Sequence, residues 1–321
     1  MPGGCGFRAP SGGTPERSRA RNPEQASEPL TDQPAESLPM TDESLLETAR
    51  RAAARAASVQ SDARGTVDPV NWTVKGRSDF TTEVDRESER VIVQTLLEVF
   101  PDHRVLAEEG TENESDGERP PALWIIDPLD GTTNWLHGYP EYAVSIAAYD
   151  AEGARAAVVL NSATGELFEA TRGGGARKDG RDIRVSGMDD LDLALVGTGF
   201  PFKTLHVLPA YLETLSRVLR STAGIRRAGA AALDLCSLAC GRLDAFWEYW
   251  LMPWDVAAGA LIVQEAGGFF GELEVPGIET GPEAAGLSAE VPDGLGPAAF
   301  LGSNATLRDE FRALVLGELP R

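Results

Sequence analysis

Residues 123–136, LWIIDPLDGTTNWL, contain the pattern that decides the fold. A short apolar run reaches Asp127, and Asp130 follows just before Gly131. A short apolar run bounded by Pro and Gly predicts a buried strand that ends in a turn. The two carboxylates are therefore expected where the strand stops, with Pro128 stiffening the backbone between them. An ordinary Asp-Pro turn followed by glycine is the simpler interpretation, because each of its parts is common alone.

The three residues after Asp130 indicate an anion site. Gly131, Thr132 and Thr133 are small, and their backbone N–H groups can point at an anion if a helix starts there. Carboxylates repel phosphate-sized anions, so a site that offers both requires cations between them. Hard oxygen ligands at this density suit Mg²⁺, which takes a few carboxylates and leaves positions for water and substrate phosphate.

Acidic residues in two other segments extend this pattern. Glu108 and Glu109 follow a short apolar step in LAEEG, and Asp255 stands at the start of a helical pattern in PWDVAAGALIVQEAGG. Each of these acids lies at the edge of a predicted regular element. Such scattered placement is what a metal site assembled by tertiary folding requires.

Together, DPLDGTTN, the preceding EEG and the distal WDVAAG with EAGG resemble the inositol monophosphatase family of Mg²⁺-dependent, lithium-sensitive phosphomonoesterases. The resemblance covers residues 41–315. It implies the layered α-β-α-β-α sugar phosphatase fold, with an α+β metal- and phosphate-binding half at 41–185. An α/β half at 186–321 completes the metal and substrate site. The resemblance also implies a homodimer.

The resemblance carries a set of metal ligands onto this sequence. Two or three Mg²⁺ ions would be held by the carboxylates of Glu108, Asp127, Asp130 and Asp255 and by the carbonyl of Leu129. Asp127 would bridge metals, and Glu108 would lie on the water-activating side. Asp130 and Asp255 would neutralise the leaving oxygen. The implied reaction is direct hydrolysis, in which metals lower the pKa of bound water and stabilise charge on both in-line oxygens.

Two residues upstream match a Lys and an Asp of the family's active-site loop. Lys75 and Asp85 are ten residues apart here, which suggests a trimmed loop. The resemblance makes Asp85 a partner of Thr132 in orienting the attacking water, and it puts Lys75 near the metal and phosphate. Alternatively, Asp85 caps a helix that begins at Arg86, and both roles can hold at once. A solvated side chain is the alternative for Lys75.

Two further residues are candidates for contact with the substrate. Glu248 lies seven residues before Asp255, and at that separation the family uses a Glu to contact a substrate hydroxyl. The alternative is a carboxylate on a strand edge among aromatic residues. Ala230 occupies a segment that borders the substrate hydroxyls, at a place where Ser or Thr is frequent. The amides of residues 131–133 would bind the phosphate oxygens.

The resemblance favours myo-inositol monophosphate, a small phosphorylated polyol, as the substrate. A related phosphatase acting on histidinol phosphate, fructose 1,6-bisphosphate or a 3′-phosphoadenosine nucleotide is the alternative, since these enzymes share the metal motifs. A regulatory partner of a transcription complex is a hypothesis from another class. The complete set of metal ligands favours an enzyme.

Local patterns predict the rest of the architecture. Residues 1–40 hold seven of the 21 prolines and five glycines without apolar periodicity, so we expect a disordered tail. Thr41 or Asp42 can cap a helix that follows. Residues 142–186 predict a meander of antiparallel strands with glycine-rich turns. After residue 186, strands alternate with helices, as in α/β proteins.

Composition narrows the function classes. The net charge of −21 argues against a nucleic-acid partner, which requires a basic footprint. No run reaches the ~18–20 apolar residues of a membrane span, and the N-terminus lacks the apolar centre of a signal peptide, so we expect a cytoplasmic protein without membrane contact. The three cysteines and three histidines form no zinc-ligand spacing. The acidity suggests a high-salt cytoplasm, with an ordinary acidic protein as the alternative.

Overall fold

The computed structural model describes residues 39–64, 73–76, 79–111, 121–276, 278, 280–281 and 291–318. The disordered tail predicted for residues 1–40 lies outside these ranges except for its last two residues. In the described ranges the helices are α1 (Asp42–Asp62), α2 (Glu83–Leu97), α3 (Thr132–His137), α4 (Leu208–Ser221), α5 (Ala231–Ala239), α6 (Pro253–Glu265) and α7 (Arg308–Leu316).

Helix α1 begins where its sequence predicts. The Thr41 side chain accepts a hydrogen bond from the backbone N–H of Ser44 at 3.1 Å, which satisfies a donor that the helix itself leaves free. Leu45, Ala49 and Ala53 follow at intervals of four and are fully buried. This apolar stripe directs one face of α1 toward the core.

Helix α2 begins earlier than predicted. Its N-cap is Thr82, whose hydroxyl accepts from the N–H groups of Val84 and Asp85. The prediction that Asp85 caps a helix beginning at Arg86 was therefore wrong. Asp85 is the third helical residue, and its carboxylate accepts from the Thr82 backbone N–H at 2.8 Å. The two residues form a reciprocal capping box, which fixes the Asp85 carboxylate in orientation.

A large sheet forms the first half of the fold. A separate hairpin consists of β1 (Thr73–Gly76) and β2 (Asp79–Thr81). Strands β3 and β4 of the large sheet are parallel, and each later pair is antiparallel, which confirms the predicted meander. The strands of the large sheet are β3 (Arg104–Ala107), β4 (Leu123–Asp130), β5 (Ala143–Asp150), β6 (Gly153–Asn161), β7 (Leu167–Thr171), β8 (Gly175–Lys178) and β9 (Arg181–Asp182).

A small sheet forms the second half. Its order is β11-β10-β12-β14-β13, with β10 parallel to both β11 and β12 and with antiparallel pairing of β14 to its neighbours. The parallel strands alternate with helices along the chain, as the sequence predicts. The strands of the small sheet are β10 (Leu195–Thr198), β11 (Gly224–Arg226), β12 (Ala245–Leu251), β13 (Phe269–Leu273) and β14 (Ala298–Ser303).

The helices and sheets stack in five layers. Helices α1 and α2 cover one face of the large sheet, and α5 and α6 lie between its other face and the small sheet. Helices α4 and α7 cover the outer face of the small sheet. This order confirms the predicted layered α-β-α-β-α fold. The division of the chain at residues 185 and 186 stays a prediction, and it falls between β9 and β10.

Helix α6 is apolar on nearly all sides because it is buried on both faces. Val256, Ile262 and Val263 are fully buried between the sheets. Its Gly259 lies so close to α5 that a Cβ atom there would meet the Leu235 Cδ1 atom at 2.5 Å. Within the described residues, no helix is long and apolar enough to cross a membrane.

Candidate active site

The DPLDGTTN motif forms the end of β4 and the start of α3. Strand β4 continues to Asp130, and a bulge between Asp127 and Asp130 interrupts its pairing with β5. A bulge tolerates Pro128, which has no N–H to offer the ladder. The side-chain amide of Gln60 on α1 donates to the Pro128 carbonyl at 2.8 Å. The turn therefore begins at Gly131, and the two carboxylates belong to the bulged end of the strand.

Gly131 makes the sharp change from strand to helix. Its φ angle is +88°, in the left-handed region that favours glycine. A Cβ atom at this position would also lie 2.8 Å from the carbonyl oxygen of Glu141. The following Thr132 and Thr133 open α3, so the predicted helix start after Asp130 is confirmed.

Glu108 reaches the same edge of the sheet from a neighbouring strand. Strand β3 is parallel to β4, so their carboxyl ends meet at one edge. The Glu108 N–H donates to the Ile126 carbonyl at 3.3 Å, which places Glu108 beside the end of β4. The predicted step from the apolar run into Glu108 is thus a strand followed by a turn.

The second half of the fold contributes Asp255 and the start of α5. Asp255 is the third residue of α6, and its carboxylate accepts from the Met252 N–H at 2.7 Å. Asp130 accepts from the Ala232 N–H at 2.8 Å, across a sequence separation of 102 residues. This bond ties the bulged end of β4 to the first turn of α5.

These elements enclose a cavity of about 620 Å³. A volume of this order suits a small-molecule site. Most of the residues that the sequence analysis selected line the cavity: Glu108, Asp127, Leu129, Asp130, Gly131, Thr132, Thr133, Ala230, Glu248 and Asp255.

The carboxyl groups in the cavity are buried close to one another, and both effects disfavour their charged forms. Burial raises the pKa of Glu108 to about 8, and Asp255 and Glu109 add to this while Lys203 opposes it. Burial, followed by repulsion from Asp255, raises the pKa of Asp130 to about 7. Burial also raises the pKa of Asp127 well above its ordinary value, as does the neighbouring Glu108.

The donor set of this cavity fits a divalent cation. In addition to burial, the charge of Glu108 raises the pKa of Asp127, so protonation of a carboxyl group is favoured over two adjacent negative charges. A divalent cation offers the alternative, because it neutralises both charges and accepts hard oxygen ligands. Among the described residues, however, no group of three or more His, Cys, Asp or Glu side chains has an arrangement ready to hold a metal ion. The oxygens converge on one cavity without forming a closed ligand cage.

Asp85 reaches the cavity through Thr132. The Thr132 hydroxyl lies 3.0 Å from the Asp85 carboxylate and 3.1 Å from the carbonyl oxygen of Leu129. Burial raises the pKa of Asp85, and hydrogen bonds from Thr82 and Thr132 oppose that rise. Since a hydroxyl has one hydrogen to donate, its lone pairs remain available to a molecule in the cavity.

Glu248 and Ala230 also line the cavity. Glu248 lies on β12 next to β10, and burial raises its pKa well above the ordinary value, as does the nearby Asp234. A Cβ atom on Gly199 would lie 1.8 Å from the Glu248 Oε1 atom. The Glu248 carboxyl therefore occupies space that any other residue at position 199 would fill. Ala230 is buried at the N-cap of α5.

The sequence analysis missed two parts of the cavity wall. Asp234 on α5 lines the cavity with only 4% of its side chain exposed, and burial raises its pKa well above the ordinary value. The loop 199–204 follows β10 and also lines the cavity. A signal for the loop is its place after a parallel strand, because ligands in α/β sheets bind at the carboxyl ends of strands. Asp234 carries no comparable local signal.

The side chain of Lys75 lies outside the described part of the structure. Its backbone belongs to β1. The predicted role of Lys75 near the metal and phosphate stays a prediction.

The chain is similar to known proteins in sequence and in structure. The sequence model of the inositol monophosphatase family matches residues 41–279. A protein of Pseudomonas aeruginosa named Nus factor SuhB is 47% identical over 231 residues, which are 71% of this chain and 85% of that protein.

Solved structures resemble the whole described fold. The crystal structure of extragenic suppressor protein suhB from Bartonella henselae has a TM-score of 0.74 and 34% identity, and the match covers 86% of this chain and 100% of that one. The structure of inositol monophosphatase from Anabaena (Nostoc) sp. PCC 7120 has a TM-score of 0.68 and 31% identity, with 87% and 97% covered. The similarity therefore extends over most of the chain.

Proposed function

Because this chain belongs to the inositol monophosphatase family, we propose that it hydrolyses myo-inositol monophosphate in a reaction that depends on Mg²⁺. Family membership supports the activity of a metal-dependent phosphatase. The choice of inositol phosphate as the substrate is our proposal. One observation carries the proposal: the carboxylates of Glu108, Asp127, Asp130 and Asp255 converge from separate elements on one cavity that also contains Thr132.

The four carboxylates and the Leu129 carbonyl are the groups that would hold two or three Mg²⁺ ions. Such ions, when bound, lower the pKa of a coordinated water and stabilise charge on the attacking and leaving oxygens. Each of the proposed ligands lies at the end of a strand or at the start of a helix: the bulged end of β4, the turn directly after β3, or the first turn of α6. This rigidity suits ligands that must keep their geometry during the reaction.

Thr132 and Asp85 orient the attacking water in this proposal. The Asp85 carboxylate accepts from the Thr132 hydroxyl, so the hydroxyl oxygen is left to accept a hydrogen bond from the water. The water is thereby held with its lone pair toward the phosphorus atom. Because Asp85 is locked by its capping box with Thr82, the pair keeps this orientation before substrate binds.

Different residues of the cavity would bind the phosphate and the leaving group. Amides of Gly131, Thr132 and Thr133, at the start of α3, bind phosphate oxygens in this proposal. Glu248 accepts a hydrogen bond from a substrate hydroxyl, and the segment at Ala230 borders the same group. A hydroxyl-rich leaving group gives these polar surfaces a partner that an apolar one does not.

The test is phosphate release with Mg²⁺ from a panel of substrates. The panel contains inositol 1-phosphate, histidinol phosphate, fructose 1,6-bisphosphate and 3′-phosphoadenosine 5′-phosphate, each with and without lithium. We expect a clear preference for inositol 1-phosphate and inhibition by lithium. A preference for another member would assign the alternative substrate, and absence of turnover on the whole panel would contradict the proposal.

The relatives named Nus factor bring a second candidate, a regulatory partner of a transcription complex. This candidate conflicts with the expectation of no nucleic-acid partner, which rested on the net charge of −21. A pull-down against RNA polymerase with the Asp127→Asn variant separates binding from catalysis. If this variant still retains the polymerase, the result would support a regulatory role. If the unaltered chain retains no polymerase, a regulatory role of this kind is excluded.

We further propose a homodimer and a cytoplasmic location, both of which the family resemblance and the composition favour. Sedimentation of the full chain gives the oligomeric state, and cell fractionation gives the location. A monomer at micromolar concentration or recovery in the membrane fraction would contradict these two proposals.

A further inference from the structure

Glu89 is a buried carboxylate on α2 that accepts three hydrogen bonds from one turn. Its Oε2 atom accepts from the backbone N–H of Glu109 at 2.8 Å. Its Oε1 atom accepts from the backbone N–H of Thr111 at 3.1 Å and from the Thr111 hydroxyl at 2.5 Å. Only 3% of Glu89 is exposed. A carboxylate is costly to bury unless hydrogen bonds compensate it, and here a single turn supplies these donors.

The turn that Glu89 holds follows β3 and carries Glu108. Its own bonds are few: the Glu108 N–H donates to the Ile126 carbonyl at 3.3 Å, and the Gly110 N–H donates to the Ala107 carbonyl at 3.2 Å. Gly110 has a φ angle of +100°, so the chain reverses sharply here. The strand ladder thus restrains the turn from one side, and Glu89 restrains it from the other.

Helix α2 therefore supports two segments next to the cavity from one of its faces. Asp85 hydrogen-bonds Thr132, and Glu89, four residues later, accepts from the turn beyond Glu108. Residues four apart lie on the same side of a helix. One helix thus positions both the residue proposed to orient the water and the turn proposed to hold a metal.

We propose that Glu89 is a positioning residue that fixes the turn 108–111 for metal binding by Glu108. It touches neither substrate nor metal; it acts through the backbone of the turn. The inference rests on the proposed function only in taking Glu108 as a ligand. Partners of this kind that orient a ligand without touching the metal set its affinity by 10- to 100-fold in many metalloproteins.

The decisive variant is Glu89→Gln. Glutamine keeps the size of the side chain, but its NH₂ group is a donor and faces an N–H donor of the turn, so one of the anchoring contacts becomes repulsive. We expect the affinity for Mn²⁺, followed by electron paramagnetic resonance, to fall about 10- to 100-fold. We expect the Mg²⁺ concentration for half-maximal phosphate release to rise in parallel, while KM at saturating Mg²⁺ changes less than twofold.

Two further variants separate positioning from a general effect on folding. Glu87→Gln makes the same chemical change on the same helix, at an exposed residue that pairs with Arg90, and it should leave Mn²⁺ affinity unchanged. Thr111→Val removes only the hydroxyl donor to Glu89 and should weaken Mn²⁺ binding less than Glu89→Gln does. If Glu89→Gln does not fold, the Mn²⁺ affinity of Thr111→Val tests the inference instead.

The Mn²⁺ isotherm keeps this inference separate from the proposed function. A chain that binds Mn²⁺ but hydrolyses no phosphate ester contradicts the proposed function, while the effect of Glu89→Gln on binding still decides the inference. Unchanged Mn²⁺ affinity in both Glu89→Gln and Thr111→Val would overturn it. A lower melting temperature with unchanged affinity would likewise overturn it, because Glu89 would then be structural only.

Discussion

A Cβ atom on Gly199 would lie 1.8 Å from the Oε1 atom of Glu248. The carboxyl group of Glu248 therefore rests directly against the backbone at the end of β10. Neighbouring carbon and oxygen atoms do not approach so closely, so a side chain at position 199 must displace Glu248. Gly199 has no side chain to take part in the reaction, but its lack of a Cβ atom leaves room for the residue proposed to contact the substrate hydroxyl.

The first prediction concerns Gly199→Ala. Displacing Glu248 leaves the substrate hydroxyl without its hydrogen-bond partner, which costs about 1–3 kcal/mol. We expect kcat/KM for inositol 1-phosphate to fall about 10- to 100-fold, since about 1.4 kcal/mol corresponds to a factor of ten. The rate with 4-nitrophenyl phosphate, which has no hydroxyl for Glu248, should change little.

Gly187→Ala is the matched control for this experiment. A Cβ atom at Gly187 meets nothing within 4 Å, so the same substitution leaves its surroundings unchanged. Equal losses on both substrates in Gly199→Ala would contradict the role given to Glu248 and would indicate general damage to the cavity.

The second prediction concerns Mg²⁺ and Asp127→Asn. An ion that binds only the folded chain stabilises it by about 2.7 kcal/mol at a concentration 100 times its Kd. We expect Mg²⁺ to raise the unfolding midpoint of the unaltered chain, and a chelator to reverse this. Asp127→Asn should abolish the Mg²⁺ effect and all turnover, yet be at least as stable in chelator, because one charge of a repelling cluster is gone.

Asp182→Asn, at an exposed residue of β9, is the control and should keep the Mg²⁺ effect. Undiminished turnover by Asp127→Asn would remove the metal assignment. A Mg²⁺ effect that survives in Asp127→Asn would show that the stabilising ion binds elsewhere.

The third prediction concerns Asp85 and Thr132 as a pair. Asp85→Asn and Thr132→Val should each lower kcat about 10²-fold, the order of loss expected when a reacting group is misplaced. The double variant should be little worse than either single variant, because the two groups act as one unit. Rates measured at saturating Mg²⁺ and substrate give both results.

Stability separates catalysis from capping in this pair. Asp85→Asn also weakens the capping box with Thr82, at a cost of about 1 kcal/mol, whereas Thr132→Val leaves that box intact. Thr132→Val should therefore lose activity without losing the cap's contribution to the unfolding free energy. Additive losses of kcat in the double variant would contradict a shared role.

Most of the metal-side residues were predictable because each follows a local pattern. Asp127 and Asp130 follow an apolar run at the end of a strand, and Asp255 lies in the first turn of an apolar helix. Strands and helices of this kind show in the spacing of residues that are near neighbours in sequence, so their ends can be predicted without knowledge of the tertiary fold. The layer order followed from the family resemblance, and local patterns predicted the meander and the strand-helix alternation.

The rest of the cavity depends on contacts that local patterns do not encode. Asp234 is on a buried helix among apolar residues and lines the cavity only because α5 packs beside β10. Gly199 is adjacent to Glu248 only because β10 and β12 are paired. The start of α2 was misplaced because Thr82 and Asp85 both suit a cap, and their reciprocal bonds decide which of them is the N-cap.

The fourth prediction concerns the net charge of −21. Like charges at this density repel across the surface, and salt screens them because the Debye length falls from ~10 Å at 0.1 M to ~3 Å at 1 M. If the chain is adapted to a salty cytoplasm, its unfolding midpoint should rise steadily from dilute buffer to 1 M KCl. Sucrose, which adds no ions, serves as the control, and full stability in dilute buffer would count against the adaptation.

The fifth prediction concerns His103, which stacks on Phe100 with ring centroids 4.5 Å apart. Burial lowers the pKa of His103 to about 4, and the charge of Arg155 adds to this while Asp102 opposes it. The unfolded chain takes up this proton near pH 6.5, but the folded chain does so only near pH 4. Between these values the unfolded state binds more protons, so stability falls as pH decreases from about 6.5 to about 4.

His103→Phe isolates this contribution, because it keeps a ring against Phe100 and removes the titrating group. We expect the unfolding free energy from urea titrations to drop less between pH 7.5 and pH 5 in His103→Phe than in the unaltered chain. Subtracting the two drops cancels the carboxylates, which titrate in both proteins. Since His103 contributes no pH dependence above pH 7.5, the difference between the two proteins should be constant there. Equal drops in both proteins would mean that His103 takes up its proton equally well in the folded state.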